Sequence, residues 1–186
     1  MARRPLAVAL TGGIAAGKST ALAAFARHGA ATLSADAVVH ELLAGDEEVR
    51  GAIRVRWGDD AVGDRDRIGA IVFDDPTELE WLERLLHPRV VRAQQVWREG
   101  VTAPLAVIEV PLLYETGGES RFDAVVAITA PAETREERRP GLGRRETRLL
   151  PEEEKVRRAN FAYVNDGSLE DLDRFVASVV ERLTSS

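Results

Sequence analysis

At 186 residues with 45% hydrophobic side chains, the chain is long enough for one well-packed domain carrying an insertion. Its net charge of −6 turns bulk electrostatics away from nucleic acid and anionic membrane surfaces, so neither is expected as a partner. The absence of cysteine excludes disulfides, thiolate metal sites and cysteine nucleophiles, and suits a reducing compartment.

Arg3 and Arg4 precede an apolar run, Leu6 to Leu10, that is too short for the ~7–15 residues of a signal-peptide core. No stretch approaches the ~18 apolar residues of a membrane span, and a cytoplasmic location is expected. Leu6 to Leu10 instead suits a short buried parallel strand, and Ser19 to His28 reads as a helix. Between them stand Gly12, Gly13, Ile14, Ala15, Ala16, Gly17, Lys18, Ser19 and Thr20, which fit G-x-x-x-x-G-K-[ST], the phosphate-binding loop of nucleotide triphosphatases and kinases. Glycines there let the backbone approach a ligand, and successive N–H groups at a helix N-terminus form an anion nest. Lys18 is expected to bridge the β- and γ-phosphates of ATP, and the Ser19 hydroxyl to ligate Mg²⁺.

Ala30 to Ser34 reads as a second strand, with Asp36 just past its end on the ligand-binding edge of a doubly wound sheet. Asp36 or Ser34 can equally cap the following helix, and spacing alone leaves catalysis and capping open. From residue 37 to 100 the apolar spacing is helical throughout. The longest helix is expected from Pro76 to Glu99, broken or kinked at Pro88 after His87. Trp57, Trp81 and Trp97 read as core. Leu105 to Val110 is a third strand, running into Pro111, Leu112, Leu113, Tyr114 and Glu115. Phe122 to Thr129 and Phe161 to Val164 are the fourth and fifth, and Ser168 caps a last amphipathic helix. Strands alternating with helices give a parallel α/β sheet.

Between the last two strands Arg135, Arg138, Arg139, Arg144, Arg145 and Arg148 are mixed with Glu133, Glu136, Glu137 and Glu146. Most suit a solvated helix face with i,i+4 pairs. One or two are placed to neutralise a transferred phosphoryl group, as a lid turning at Pro140 to Gly143.

Leu10-Thr11-Gly12-Gly13-Ile14 with the rest of the loop, Asp36, His87-Pro88, Pro111-Leu112-Leu113-Tyr114-Glu115 and Asn165-Asp166-Gly167-Ser168 occur in that order. Together they resemble the dephospho-coenzyme A kinase family over nearly the whole chain. The resemblance implies a three-layer P-loop kinase fold: a five-stranded parallel sheet, a helical acceptor-binding insertion and a short lid. It implies a nucleotide-binding core at 1–36 and 101–186, the insertion at 37–100 and the lid at 135–150. It further implies ATP-dependent phosphorylation of the ribose 3′-hydroxyl of dephospho-coenzyme A. Asp36 then stands near the acceptor hydroxyl, His87 in the acceptor domain, and Pro111, Leu112 and Leu113 along the acceptor pocket; Asn165 stands near the adenine. Arg138 or Arg139 is the better candidate for the lid cation, ahead of Arg145. The segment from Arg135 to Leu150 is shorter than the family lid, and Leu149 stands where the family commonly has glutamine. Glu109 and Glu115 are open to either the magnesium shell or helix capping. A kinase for another small acceptor, such as a nucleoside monophosphate or sugar acid, and a nucleotide-dependent regulator are the competing readings. Oligomeric state is not legible, and a monomer is compatible with everything above.

Overall fold

The computed structural model describes residues 4–140 and 149–185. Five strands, β1 (Leu6–Gly12), β2 (Ala31–Ser34), β3 (Leu105–Glu109), β4 (Ala124–Thr129) and β5 (Phe161–Val164), form an all-parallel sheet in the order β2-β3-β1-β4-β5. Its three middle strands are apolar because both of their faces are covered: β3 and β4 are buried along their whole length, and β1 is buried from Ala7 onward. β1 pairs with β3 from Leu6↔Leu105 and with β4 from Val8↔Ala124. The edge strand β5 instead alternates half-buried and exposed residues. Since β1 lies between the two halves of the sheet, the loop leaving its carboxyl end opens where the strand order reverses, the usual ligand position of such sheets.

The chain divides into two compact units, Met1–Ser34 with Gly100–Ser186, and Ala35–Glu99. In the first, helix α1 (Lys18–Arg27) buries Ala21, Ala24 and Phe25. Phe25 joins Val8, Leu10, Val107 and Ile128 of the sheet, and Leu172, Val176 and Val179 of the C-terminal helix, in one core. That last helix begins at Ser168, whose hydroxyl accepts from Asp171 N at 3.2 Å while Asp171 Oδ2 accepts from Ser168 N at 3.0 Å, a reciprocal cap.

The second unit is helical throughout: α2 (Ala35–Gly45), α3 (Glu47–Trp57), α4 (Arg65–Asp74) and α5 (Pro76–Glu99). Aspartates start three of these turns, with Asp46 and Asp64 capping α3 and α4, and Asp75 Oδ1 accepting from Thr77 N at 2.8 Å. Leu43, Val49, Ile53, Ile68, Leu82 and Leu86 form its core, with Trp57 and Trp81 packed against it edge to face at 4.9 Å. Trp97 is half-buried.

The expected break at Pro88 does not occur, and α5 runs through it to Glu99. Proline removes one i→i−4 bond and crowds the turn before it. Here the guanidinium of Arg89 donates to Leu85 O at 2.8 Å, supplying a side-chain donor in the turn that proline disturbs. His87 is therefore an exposed mid-helix residue.

The first unit is completed by α6 (Ala132–Arg138), α7 (Glu152–Arg158) and the last helix, α8 (Leu169–Thr184). The expected lid turn after Pro140, with Arg144, Arg145 and Arg148, lies outside the described residues. No helix among the described residues is long and apolar enough to cross a membrane.

Candidate active site

The loop from Gly12 to Gly17 takes its shape from three left-handed backbone positions, Gly12 (φ +142), Ala15 (φ +59) and Gly17 (φ +99). A Cβ on Gly12 would collide with the Ile128 carbonyl of β4, and one on Gly17 with the Asn165 amide. Only glycine lets these segments come so close. Gly17 is also the N-cap of α1, and no side chain caps that helix end. The first-turn N–H groups of Lys18, Ser19 and Thr20 thus stand at the positive end of the helix dipole, a cradle fitted to an anion.

Lys18 Nζ donates to Gly13 O at 2.7 Å and reaches Gly12 O at 3.4 Å, which folds its ammonium back over the loop. Ser19 is exposed in the first turn of α1. Its hydroxyl is a hard oxygen donor, the type magnesium takes from protein when the rest of its shell is phosphate and water. Ile14 is half-exposed and Ala16 buried.

Two outside residues brace the loop. Arg138, from the end of α6, donates to Ala15 O at 3.2 Å, and Asn165 Nδ2 donates to Ala16 O at 2.9 Å. Asn165 is buried after β5 and holds the phosphate loop through Ala16 O, a contact that the family resemblance, which places Asn165 near the adenine, did not suggest. Asn165→Ala would leave the Ala16 carbonyl without this donor, and we expect a loss of about 1–3 kcal/mol in denaturant unfolding. A loss below ~0.5 kcal/mol would mean that solvent replaces the amide there. Arg139, the C-cap of α6, is exposed and, among the described residues, does not bond to the loop, so of the two candidates only Arg138 reaches it.

Asp36 lies in the first turn of α2, two residues past the end of β2, and is exposed. Among the described residues no hydrogen bond reaches its carboxylate, and neither it nor Ser34 caps the helix through a side chain. Past β3, Pro111 and Leu112 are half-buried, whereas Leu113 is fully buried. Leu113 therefore anchors this loop in the interior, which corrects its expected place along a ligand surface. Its apolar side chain follows a buried strand directly, and the core takes it.

A pocket of about 400 Å³ opens beside Gly13, lined by Ala130, Arg135, Leu150, Glu152 and Lys155 among others. Of these, sequence reading passed over Glu152 and Lys155, although the Pro-Glu-Glu-Glu-Lys run from Pro151 to Lys155 was visible. Arg135 donates through Nε to Ala130 O at 3.0 Å and lies 3.5 Å from Glu152 Oε1. The Glu152 carboxylate occupies the place a Gly13 side chain would fill. Burial pushes Glu152 above the usual carboxylate range, against the opposing pull of Arg135. The folded state then holds this proton to higher pH than the unfolded chain does. Whatever stability Glu152 leaves intact at low pH is lost as pH rises through its folded value. Glu152→Gln is expected to melt above the parent at pH 7, with the gap closing as pH falls towards 4. A variant that melts lower at pH 7 would show that the ion pair with Arg135 outweighs the burial.

Against known proteins, the dephospho-CoA kinase family model matches residues 6–171. The chain belongs to the dephospho-CoA kinase family. A Thermus thermophilus dephospho-CoA kinase is 37% identical over 194 aligned positions, covering 98% of this chain and 94% of that protein. A crystal structure from the same organism superposes with a TM-score of 0.83 at 35% identity, covering 98% of this chain and all (100%) of that one. A shikimate kinase from Aquifex aeolicus, TM-score 0.51 at 14% identity over 95% of this chain and 97% of its own, shares the P-loop kinase fold and nothing finer. Membership in the dephospho-CoA kinase family makes this chain a nucleotide-using kinase of the last step of coenzyme A synthesis.

Proposed function

We propose that the chain transfers the γ-phosphoryl group of ATP directly to the ribose 3′-hydroxyl of dephospho-coenzyme A, giving coenzyme A and ADP. The observation that carries this reading is the glycine loop at the reversal of strand order, with an uncapped helix end and the Lys18 ammonium converging on one anion-sized cradle. Lys18 and the loop amides hold the triphosphate, and Arg138, already on the loop at Ala15, offsets charge on the oxygens of the group in transfer. The Ser19 hydroxyl holds Mg²⁺, which when bound neutralises phosphate charge.

Asp36 orients the acceptor hydroxyl and accepts its proton as the oxygen attacks phosphorus. The bond from phosphorus to the bridging oxygen of ADP breaks in line, and no covalent enzyme intermediate forms. Pro111 and Leu112 line the acceptor pocket, and His87 with the helical unit contributes to acceptor recognition. The chain works in the cytoplasm, where ATP and magnesium are supplied.

The test is ADP release from ATP with dephospho-coenzyme A, AMP or no acceptor, each with and without magnesium. A large rise with dephospho-coenzyme A and magnesium alone is expected. An equal rise with AMP would move the reading to another small acceptor.

A further inference from the structure

Lys155 is 1% exposed, although it carries a charge and lies on a short helix. Its Nζ donates to Glu115 Oε1 at 2.8 Å and reaches Pro111 O at 3.5 Å. Leu150 N donates to the same Glu115 oxygen at 2.9 Å. Pro111 O also receives the buried Thr11 hydroxyl at 3.4 Å, one residue before the phosphate loop begins. One turn along α7, Arg158 lies 4.2 Å from the ring centre of Tyr114 and pairs with Glu119. Two cations on one face of α7 thus grip the segment after β3 along its length.

Stability alone does not account for this pair. Taking an ammonium and a carboxylate out of water costs several kcal/mol each, and an apolar pair of similar volume is often as stable or more so. What a lysine adds is direction. Its donors fix where the Pro111 carbonyl and the Glu115 carboxylate stand, while Leu113 and Tyr114 only fill the interior beneath. Burial pushes the Glu115 carboxyl up, but the bonds from Lys155 and Leu150 outweigh it and leave the group below its ordinary range.

We propose that Lys155, acting through Glu115, is a positioning residue that sets the shape of the Pro111–Glu115 segment for acceptor binding. It touches neither reacting oxygen nor phosphorus. This rests on the reading of Pro111 and Leu112 as acceptor-lining residues.

The experiment compares the parent enzyme with Lys155→Met and with the double variant Lys155→Met/Glu115→Gln, which removes both buried charges together. Melting, calorimetric binding of dephospho-coenzyme A without nucleotide, and both KM values are measured. In the double variant, we expect melting to recover towards the parent. Dephospho-coenzyme A binding should stay at least about tenfold weaker and its KM raised to match, with the KM for ATP within about twofold. Recovery of acceptor binding together with melting would reduce the pair to a structural role and overturn the proposal. So would an equal rise in both KM values. A parent enzyme that binds no dephospho-coenzyme A would instead remove the acceptor reading beneath the proposal, a result distinct from either.

Discussion

Lys18→Met is expected to lower kcat/KM for ATP by about a thousandfold or more while leaving the fold intact. The ammonium already sits on the loop at Gly13 O, so bound phosphate meets a charge in place and not one that must be gathered from solvent. Removing one preorganised charge partner from a developing oxyanion costs ~10²–10³ in rate, or about 3–4 kcal/mol, and Lys18 also serves ground-state binding. Stability should hardly change. Lys18 is only half-buried, and α1 is anchored by Ala21, Ala24 and Phe25. Circular dichroism and a melt within ~0.5 kcal/mol of the parent would establish that the fold survives. A fall in kcat/KM below tenfold would mean that the helix end and Arg138 hold the phosphates unaided.

Asp36→Asn is the second large effect, expected at ~10²–10⁴ in kcat with the KM for ATP nearly unchanged. The substitution preserves shape and removes the negative charge together with the ability to accept a proton. No hydrogen bond from the described residues holds the carboxylate, so its loss from the first turn of α2 costs at most the dipole contribution of ~0.3–1 kcal/mol. The two roles therefore separate cleanly. A base gives a large fall in kcat and a small change in stability; a helix-terminal charge gives the small change alone. Near-normal turnover would assign Asp36 to the helix end.

Much of this was legible in the sequence because local rules and global fold agree. β1 reads as a buried strand, the glycines at 12 and 17 read as a phosphate loop, and Ser168 reads as a cap; each stands where its pattern implies. Apolar spacing found residues 37–100 helical, and the last helix from Pro76 to Glu99, without finding where the others begin and end. The sequence misled where a rule about one residue was overridden by a neighbour. Pro88 should have ended α5, yet the helix continues to Glu99, with the Arg89 guanidinium on Leu85 O in the turn beside it. Leu113 belongs to a motif that points to a ligand, yet its apolar side chain follows a buried strand into the core.

The least legible part was polar. Asn165 and Ala16 are 149 positions apart, and Lys155 and Pro111 are 44 apart, so no periodicity joins them. A lysine within a run of glutamates looks like a solvated surface; only its burial against Glu115 shows otherwise. Arg135 likewise looked like one more charge on an exposed helix, and it turned out to be packed against Ala130 O and Glu152.

The central claim is that the phosphoryl group goes to one hydroxyl of one acceptor, and phosphorus NMR of the product tests it most directly. After incubation with dephospho-coenzyme A, ATP and magnesium, a new monophosphate resonance coupled to the ribose 3′ proton is expected, growing in step with ADP. Inorganic phosphate growing with ADP in its place, or a new ester at any other position, would contradict it.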